Sequence, residues 1–498
     1  MLRIILRTVL LVALLVVEVL SLNLPSRVSA SFSEDQSFQL IHPKGASSGD
    51  YWAIHYAAEA GGELDLGDMK VTSDGGTIIV GTHAPLLSTV GNIWIMKLAG
   101  NGVVSWSKEI LGVDNASAVA VEEVTGGGYV VGGNTYEHEG DGDAFLASLS
   151  ADGTVLWTKR YSNDDRPDSF IKIEAASDGN LFVVRRLQDQ LLKITPDGEI
   201  LWQVSFDFHA VESVQATSDG GVVLGGMTEV NWAGDPWIAR VNAQGDVLWE
   251  RKYWAGAGDR VLWQAKETSN GSFIIVGSYY EENSKVWVAN LSHNGTVLWE
   301  RLYDNSRDDY AMAVFEGQNN NIVVLANDAV YGDTRYSLFS LDGSGDLQWQ
   351  RLYPNLRGGF TGTTRGNLNP LQATDDGFVM AGNYDDEILV YKVDESGLIQ
   401  GCNLILDNDF TQEAIPHTTV EAVTTTTVSY STQISGEPFS AQNVFIERDI
   451  QCEPPNITPY LQSSPPWGDD LYGQPELDPS GTMSDWGCFT TSTAMAIN

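Results

Sequence analysis

A tryptophan recurs every 45 to 51 residues through most of this 498-residue chain, and each one closes a copy of a repeated unit. One unit opens at Asp219-Gly220-Gly221, passes through Asp235-Pro236-Trp237 and ends on Gly245-Asp246-Val247-Leu248-Trp249. The next unit opens at Asn270-Gly271 and ends on Asn294-Gly295-Thr296-Val297-Leu298-Trp299. A chain with such a period folds as an array of similar units, each of which buries its apolar faces against its neighbours.

Each unit contains three or four short apolar runs rich in β-branched residues. Asp-Gly or Asn-Gly pairs separate these runs, and such pairs accept positive φ and close hairpins. About four strands in 40 to 50 residues make one propeller blade. Seven opening turns begin at Asp74, Gly126, Asp178, Asp219, Asn270, Asn319 and Asp376. We therefore predict an all-β fold, a seven-bladed β-propeller over residues 50–401.

The closing tryptophans are Trp106, Trp157, Trp202, Trp249, Trp299 and Trp349. Their repetition needs no ligand if each packs between successive blades. Trp52 precedes the first full unit, in Tyr51-Trp52-Ala53-Ile54-His55-Tyr56. We expect this segment to be a lone closing strand that pairs with the last blade, because ring closure removes exposed strand edges.

The net charge is −38, from 66 acidic and 28 basic residues, which excludes a nucleic-acid partner because little here would neutralise phosphates. Arg3 and Arg7, the apolar run 9–17 and the small residues Val28-Ser29-Ala30 predict a cleaved signal peptide over residues 1–30. Residues 31–49 then form a linker. We predict a secreted or cell-surface protein with no membrane span after cleavage, and with an extracellular protein, peptide or glycan as partner of the propeller.

The repeat resembles a family of secreted bacterial and archaeal propeller repeats, with DGG turns and a closing tryptophan, over about residues 50–401. Asp152-Gly153-Thr154-Val155-Leu156-Trp157 also looks like the repeats of quinoprotein dehydrogenases. Many of those enzymes stack pyrroloquinoline quinone on a disulfide between adjacent cysteines, and this sequence has no adjacent pair. The quinoprotein oxidoreductase stays a minor alternative, and we predict no cofactor.

Two other site types find weaker support in the propeller. A sialidase-like site needs an arginine cluster, whereas Arg185, Arg186, Arg240 and Arg335 are scattered. The acidic pieces Asp141-Gly142-Asp143 and Asp333 do not reproduce a calcium loop, so we predict no metal site.

The blade pattern stops after Cys402. Residues 402–453 are rich in threonine and predict a small β extension against the propeller, with Cys402 and Cys452 as our expected disulfide. The third cysteine, Cys488, then stays free.

The final segment, 454–498, follows a proline-rich linker. It contains Tyr460-Leu461-Gln462, then Trp467, Tyr472-Gly473 and Gly487-Cys488-Phe489-Thr490-Thr491-Ser492-Thr493-Ala494-Met495. This segment resembles the start of a papain-like cysteine peptidase of the bacteriocin-processing branch. The resemblance implies that Cys488 is the nucleophile and that Gln462 helps to hold the oxyanion. A cysteine at a helix N-terminus has a depressed thiol pKa, which suits that role.

The segment departs from that family because the family places its base histidine and its Asp or Asn after the nucleophile. All seven histidines here precede Cys488. We expect the sequence to be a fragment or the product of a truncated gene, and to be inactive as a peptidase as it stands. Two hypotheses remain: a noncatalytic propeller scaffold or binding module, or, in a longer form, an extracellular cysteine peptidase targeted by its propeller.

Overall fold

The computed structural model describes residues 51–58, 61–85, 91–111, 115–137, 141–162, 170–185, 190–206, 210–228, 234–254, 259–281, 283–330, 333–353, 370–384, 386–399, 405–407, 410–414, 419–422, 433–436, 440–443 and 446–452. The predicted signal peptide, the linker 31–49 and the peptidase-like segment 454–498 lie outside these residues, as does Cys402, so the predicted disulfide does too. Among the described residues, no helix has the length and apolarity that a membrane crossing requires.

The first half of the chain contains strands β1 (Trp52–Ala58), β2 (Gly62–Val71), β3 (Thr77–Pro85), β4 (Asn92–Leu98), β5 (Val104–Leu111), β6 (Ala116–Val124), β7 (Gly128–Glu137), β8 (Asp141–Leu149), β9 (Val155–Ser162), β10 (Phe170–Ala175), β11 (Leu181–Arg185), β12 (Gln190–Ile194), β13 (Ile200–Ser205), β14 (Ala210–Ala216), β15 (Val222–Met227), β16 (Pro236–Val241) and β17 (Val247–Trp254). The second half contains β18 (Asp259–Glu267), β19 (Phe273–Tyr280), β20 (Ser284–Leu291), β21 (Val297–Asp304), β22 (Asp308–Glu316), β23 (Ile322–Val330), β24 (Asp333–Leu341), β25 (Leu347–Tyr353), β26 (Leu371–Thr374), β27 (Gly377–Tyr384), β28 (Glu387–Asp394), β29 (Leu406–Asp407), β30 (Thr411–Ala414), β31 (Thr419–Ala422), β32 (Gln433–Gly436), β33 (Ser440–Asn443) and β34 (Ile446–Cys452), with a 3-10 turn at Gln318–Asn320.

The strands form seven antiparallel sheets, which confirms the predicted seven-bladed propeller. Blades 1 to 6 are β2–β5, β6–β9, β10–β13, β14–β17, β18–β21 and β22–β25, each a meander of consecutive strands. Their first strands are innermost, and the inner strands of successive blades pack side by side around the ring. Alternating apolar residues on both sheet faces fill the space between blades, so each blade needs both neighbours.

Blade 7 joins the two ends of the repeat region. It contains β26, β27 and β28, and its fourth strand is β1, which pairs antiparallel with β28 from Trp52 opposite Lys392 to Tyr56 opposite Ile388. The prediction that the segment around Trp52 closes the ring is therefore confirmed.

The closing tryptophan of a blade packs on a glycine in the last hairpin turn of the next blade. Gly295 has a φ of +80°, and a Cβ there would lie 3.1 Å from the Trp249 ring. Four residues later in the same strand, the Tyr253 hydroxyl donates to the Gly295 carbonyl at 2.8 Å. The same arrangement joins Tyr161 to Gly198 and Tyr353 to Gly397. The repeated tryptophan thus has the structural role expected from the sequence.

The Asp-Gly turns that follow several of the inner strands are also structural. Asp74 Oδ1 accepts from the amide of Gly76 at 3.0 Å and from Thr72 Oγ1 at 2.6 Å, and Lys97 of the third strand pairs with it at 2.9 Å. Asp178 pairs in the same way with Lys193, at 2.7 Å. These acidic turns therefore cap hairpins, as ion-pair partners of their own blades.

The segment 405–452 forms no sheet of its own among the described residues. Its six strands are the fifth, outermost strands of six blades. In chain order, β29 pairs with blade 6, β30 with blade 5, β31 with blade 4, β32 with blade 2, β33 with blade 1 and β34 with blade 7. The segment thus passes around the propeller against the direction of the blades.

Candidate ligand site in the central channel

The seven inner strands surround the axis of the propeller, and one position on each defines a ring that we call the channel ring. Each member lies four residues before the first residue of the turn that follows its strand. The channel ring consists of Lys70, Glu122, Glu174, Gln215, Lys266, Phe315 and Gln372. Side chains of inner strands from non-adjacent blades can touch only at the propeller axis. A contact between two such side chains therefore places both of them in the central channel.

Lys70 joins three blades at the axis. Its Nζ lies 2.6 Å from Glu122 Oε2 on blade 2 and 3.5 Å from Glu174 Oε2 on blade 3. The Glu122 side chain is 5% exposed, whereas those of Lys70 and Glu174 are 25% and 23% exposed. Two carboxylates share one ammonium group in this acidic wall, and solvent reaches it at Lys70 and Glu174.

Lys266 and Phe315 belong to blades 5 and 6, away from the acidic wall. Lys266 Nζ lies over the Phe315 ring, 3.1 Å from its centroid. Among the described residues, no carboxylate lies within 4.0 Å of this ammonium group. Blades 5 and 6 lie across the seven-bladed ring from blades 1 to 3, so this wall faces the acidic wall, and Glu174 and Glu122 are among the charges that act on Lys266.

A second layer of charge lies two residues deeper along the inner strands. Asp68 Oδ2 accepts from the Val121 amide of the next blade at 2.9 Å, while Asp68 Oδ1 is buried without a hydrogen-bond partner. Lys172 is 6% exposed and interacts electrostatically with Asp68 and Glu212. The channel is therefore polar at depth as well as near its end.

Enclosure shifts the ionisation of this cluster. Burial raises the pKa of Glu122 to about 7, although Lys70 opposes the shift. Burial raises the pKa of Asp68 to about 6, and it lowers the pKa of Lys266 to about 7. For Lys70, burial works to lower the pKa, but Glu122 and Glu174 outweigh it and hold the pKa above its usual value. Clusters of shifted groups in a cleft are typical of functional sites.

In the channel ring, carboxylates that can bind a cation lie on one wall, and an ammonium group that can bind an anion lies on the opposite wall. Glu122 and Glu174 attract a cation, whereas Lys266 becomes more basic when an anion approaches it. Glu122 and Lys266 both have pKa values near 7, so each exchanges its proton at neutral pH. The arrangement suits electrostatic recognition of a small polar molecule, and the Phe315 ring supplies an apolar surface beside it.

The site residues predicted from the sequence, Cys488 and Gln462, lie outside the described residues. The structure gives other singled-out residues roles within their own blades. Arg240 forms an ion pair with Asp219 of its own blade. Asp143 Oδ2 accepts from Arg160 Nη1 at 3.3 Å. No group of three or more His, Cys, Asp or Glu side chains within the described ranges is arranged to hold a metal ion.

The channel ring was not predicted from the sequence, although the signal was present. Counting back four residues from each opening turn finds all seven members, because the turns fix the register of the inner strands. Six of the seven, all except Phe315, are charged or amide-bearing residues, in a position where a repeat built only for packing has no need of charge.

The chain matches no protein-family model and no curated protein. Solved structures similar to it include an inactive virginiamycin B lyase from Staphylococcus aureus with quinupristin, at 12% identity and a TM-score of 0.47, which covers 68% of this chain and 99% of that one. The WD40 propeller of Doa1 has 12% identity and a TM-score of 0.44, covering 68% and 98%. Sqt1 of Chaetomium thermophilum bound to the N-terminus of ribosomal protein L10 has 12% identity and a TM-score of 0.40, covering 68% and 99%. At such identities the likeness is one of propeller fold alone.

Proposed function

We propose that this protein is a binding module whose central channel takes a small dipolar molecule, such as an amino acid or a short peptide. The observation that carries the proposal is the facing of the Lys70-bridged pair Glu122 and Glu174 by Lys266. The ammonium group of the ligand lies against the two carboxylates, and its carboxylate meets Lys266.

Such a ligand supplies a partner to both charged walls of the channel. A buried charge is costly unless it is paired. The acidic wall has one carboxylate more than it has ammonium groups, and Lys266 lacks a carboxylate within ion-pair distance among the described residues. A ligand with both charges supplies one partner to each wall, whereas a simple cation or anion supplies only one.

The experiment is a calorimetric titration of the full chain with ω-amino carboxylates of increasing length: glycine, β-alanine, γ-aminobutyrate and ε-aminocaproate. We expect one length to bind more tightly than either acetate or ethylammonium, because it reaches both walls. Glu174→Gln and Lys266→Met should each weaken that binding at least tenfold. Glu63→Gln is the matched control, since Glu63 is an exposed residue at the other end of an inner strand.

The outcomes separate the ligand class from the site. Binding of acetate alone, abolished by Lys266→Met, would keep the channel as a binding site and reject the dipolar ligand. Absence of heat with every compound at millimolar concentration, or binding that neither substitution changes, would reject the channel as the site.

A second function is favoured by the motif at the end of the sequence. We propose that in its longer form the protein is a cysteine peptidase, in which the Cys488 thiolate attacks a peptide carbonyl and Gln462 supports the oxyanion. The required base histidine and its Asp or Asn partner would come from residues beyond Asn498. Support for this proposal comes from the sequence motif alone.

The peptidase proposal is tested by reading the gene past codon 498. We expect an in-frame continuation that contains the histidine and the Asp or Asn, and its absence would end the proposal. In the extended protein, iodoacetamide should label Cys488 preferentially and Cys488→Ala should abolish cleavage of peptide substrates, whereas cleavage by that variant would exclude Cys488 from the mechanism.

Export is also part of the proposed function, with residues 1–30 as the signal peptide and the cell surface or medium as the destination. The partner would then be an extracellular protein, peptide or glycan. Expression in a bacterial host, followed by N-terminal sequencing of the exported protein, should find a start just after Ala30. Retention of the full-length chain in the cytoplasm would contradict this proposal.

A further inference from the structure

The six outer strands β29–β34, which we call the belt, add one strand to the exposed edge of six blades. Five of them are two to four residues long, whereas β34 is seven residues long. Each of them pairs antiparallel with the last strand of a blade by backbone hydrogen bonds. Strand edges are sites where an extended segment can add.

Phe410 anchors the start of the belt between blades 5 and 6. It is 4% exposed, and its ring centroid lies 5.0 Å from that of Phe339, which itself lies 5.1 Å from Tyr303. The Phe410 amide donates to Gln350 Oε1 at 2.7 Å. Ile405 is half-buried and packs against the core between blades 6 and 7. The belt therefore inserts apolar side chains into two successive junctions between blades.

Polar contacts next to Phe410 bind the belt to both blades of the junction. Thr411 Oγ1 donates to the Asp304 carbonyl of blade 5 at 3.0 Å. On blade 6, Gln412 accepts from the Leu347 amide at 3.1 Å and donates to Asp346 Oδ1 at 3.0 Å. The segment 410–412 thus bridges the two blades and adds to the packing and hydrogen bonds that join them directly.

The far end of the belt reaches the strand that closes the ring. β34 pairs with β1 from Ala53 opposite Cys452 to Ala58 opposite Ile446. β1 is consequently held on one side by β28 and on the other by β34. No hairpin connects β1 to β28, whereas the fourth strand of each meander blade follows its third strand directly, so the second partner of β1 matters more there than in the meander blades.

We propose that the belt is a clasp that keeps the propeller closed, and that the outer edges of the blades are acceptor sites for it. The acceptor at blades 5 and 6 takes an extended peptide with an aromatic residue at the position of Phe410. The other short strands depend on this anchor and on β34, because four residues of pairing hold a strand weakly by themselves.

The test uses the full chain with a protease site introduced between Asn403 and Leu404, cleaved under reducing conditions. We expect the fragment from Leu404 to Asn498 to stay with the propeller on gel filtration. Phe410→Ala should speed its dissociation about 100-fold, the ratio that corresponds to about 3 kcal/mol for a buried phenylalanine. Leu201→Ala is the control for loss of an apolar side chain, because Leu201 is 50% exposed on blade 3, which has no belt strand among the described residues, and it should leave the rate unchanged.

Hydrogen exchange tests whether the belt stabilises the closing strand or is only attached to the outside of the propeller. Release of the fragment should raise exchange of the β1 amides, whereas the β15 amides in the middle of blade 4 should stay protected. If Phe410→Ala does not fold, the cleaved wild-type protein still provides a test: excess peptide 405–414 should displace the fragment, and the same peptide with alanine for Phe410 should not. Dissociation of the wild-type fragment without any change at β1 would overturn the proposal.

Discussion

The indole Nε1 of Trp52 donates to the carbonyl of Gly100, 3.1 Å away, across the junction between the last blade and the first. Trp52 is 2% exposed, and the Tyr56 hydroxyl of the same strand donates to the Gly102 carbonyl at 2.7 Å. The same pair of contacts occurs at junctions within the repeat, so ring closure uses the chemistry of every other junction. A residue close to the start of the described chain thereby completes a contact with a turn some 50 residues later.

Replacing Trp52 tests how much the closing junction contributes. Trp52→Ala removes a buried indole and should lower the free energy of unfolding by about 3–5 kcal/mol. Trp299→Ala is the matched control, since Trp299 makes the same contact to the Gly343 carbonyl at 2.9 Å but lies between blades 5 and 6. Trp299 is more exposed, so urea unfolding should show a smaller loss for it. If Trp299→Ala destabilised the protein as much as Trp52→Ala or more, the closing junction would contribute no more to stability than a junction within the repeat.

Two glycines distinguish backbone strain from a clash with the closing tryptophan. Gly271 and Gly295 have φ values of +79° and +80°, but a Cβ has open space at Gly271 and lies 2.9 Å from Arg251 Cγ at Gly295. Gly271→Ala should cost about 1 kcal/mol from strain alone. Gly295→Ala should cost about 1–3 kcal/mol more, because the methyl group overpacks the junction. Thermal unfolding of both variants measures the difference. Equal losses of stability would mean that the side chains around Gly295 make room for the methyl group at no cost.

The channel lysine has a predictable effect on stability against pH. Lys266 has a pKa of about 7 in the folded protein and the ordinary value of 10.5 when unfolded, so between these values the unfolded chain binds more protons. The destabilisation of the folded state by Lys266 is therefore greatest below pH 7, and it decreases as the pH rises towards 10.5. Lys266→Met should stabilise the protein most at pH 6 and least at pH 10. An increment that is constant across urea titrations at pH 6, 8 and 10 would contradict the enclosed position of the amine.

Lys70→Met should change the stability in the opposite direction to Lys266→Met, although both lysines lie in the same channel. Lys70 bridges Glu122 and Glu174, so its loss leaves a buried carboxylate unpaired and should destabilise the protein. A stabilising Lys70→Met substitution would show that the acidic wall does not need its bridge.

A buried histidine gives a second pH dependence, outside the channel. His83 Nδ1 lies 3.3 Å from Glu109 Oε1, both side chains are nearly buried, and the hydrogen bond to Glu109 raises the pKa of His83 above its usual value of 6.5. The stabilisation is complete below pH 6.5 and is lost as the pH rises through the raised folded pKa. His83→Gln should flatten the stability profile in that window, whereas His293→Gln, at an exposed position, should not. Parallel profiles for the wild type and His83→Gln would refute this pairing.

The fold could be predicted because its determinants are local and repeated. Asp-Gly turns fix hairpins, and Gly295 with Trp249 shows why a glycine and a tryptophan recur together at each junction. The same register places Lys266 four residues before Asn270, so the positions of the channel ring were readable. The sequence did not reveal that side chains from blades 1, 2, 3 and 5 meet in the channel. That meeting depends on which blades face each other across the axis, and the inner strands of these blades differ in sequence.

The course of the segment after Cys402 could not be predicted for a different physical reason. Its strands are too short and too polar to show a strand period, and they form only because blade edges provide hydrogen-bond partners. Phe410 carries no motif that distinguishes it from any other aromatic residue. The threonine content of the segment contains no information about which strands it would pair with.

The ionisation of Lys266 measures the central claim most directly. We would label the lysine methylenes with ¹³C and follow the Lys266 signal by NMR against pH, with Lys266→Met for assignment. We expect a pKa near 7 in the free protein and a clear rise when an ω-amino carboxylate of matching length is added. A pKa near 10.5 in the free protein, or one that no ligand of the series moves, would contradict a channel built to bind a dipolar molecule.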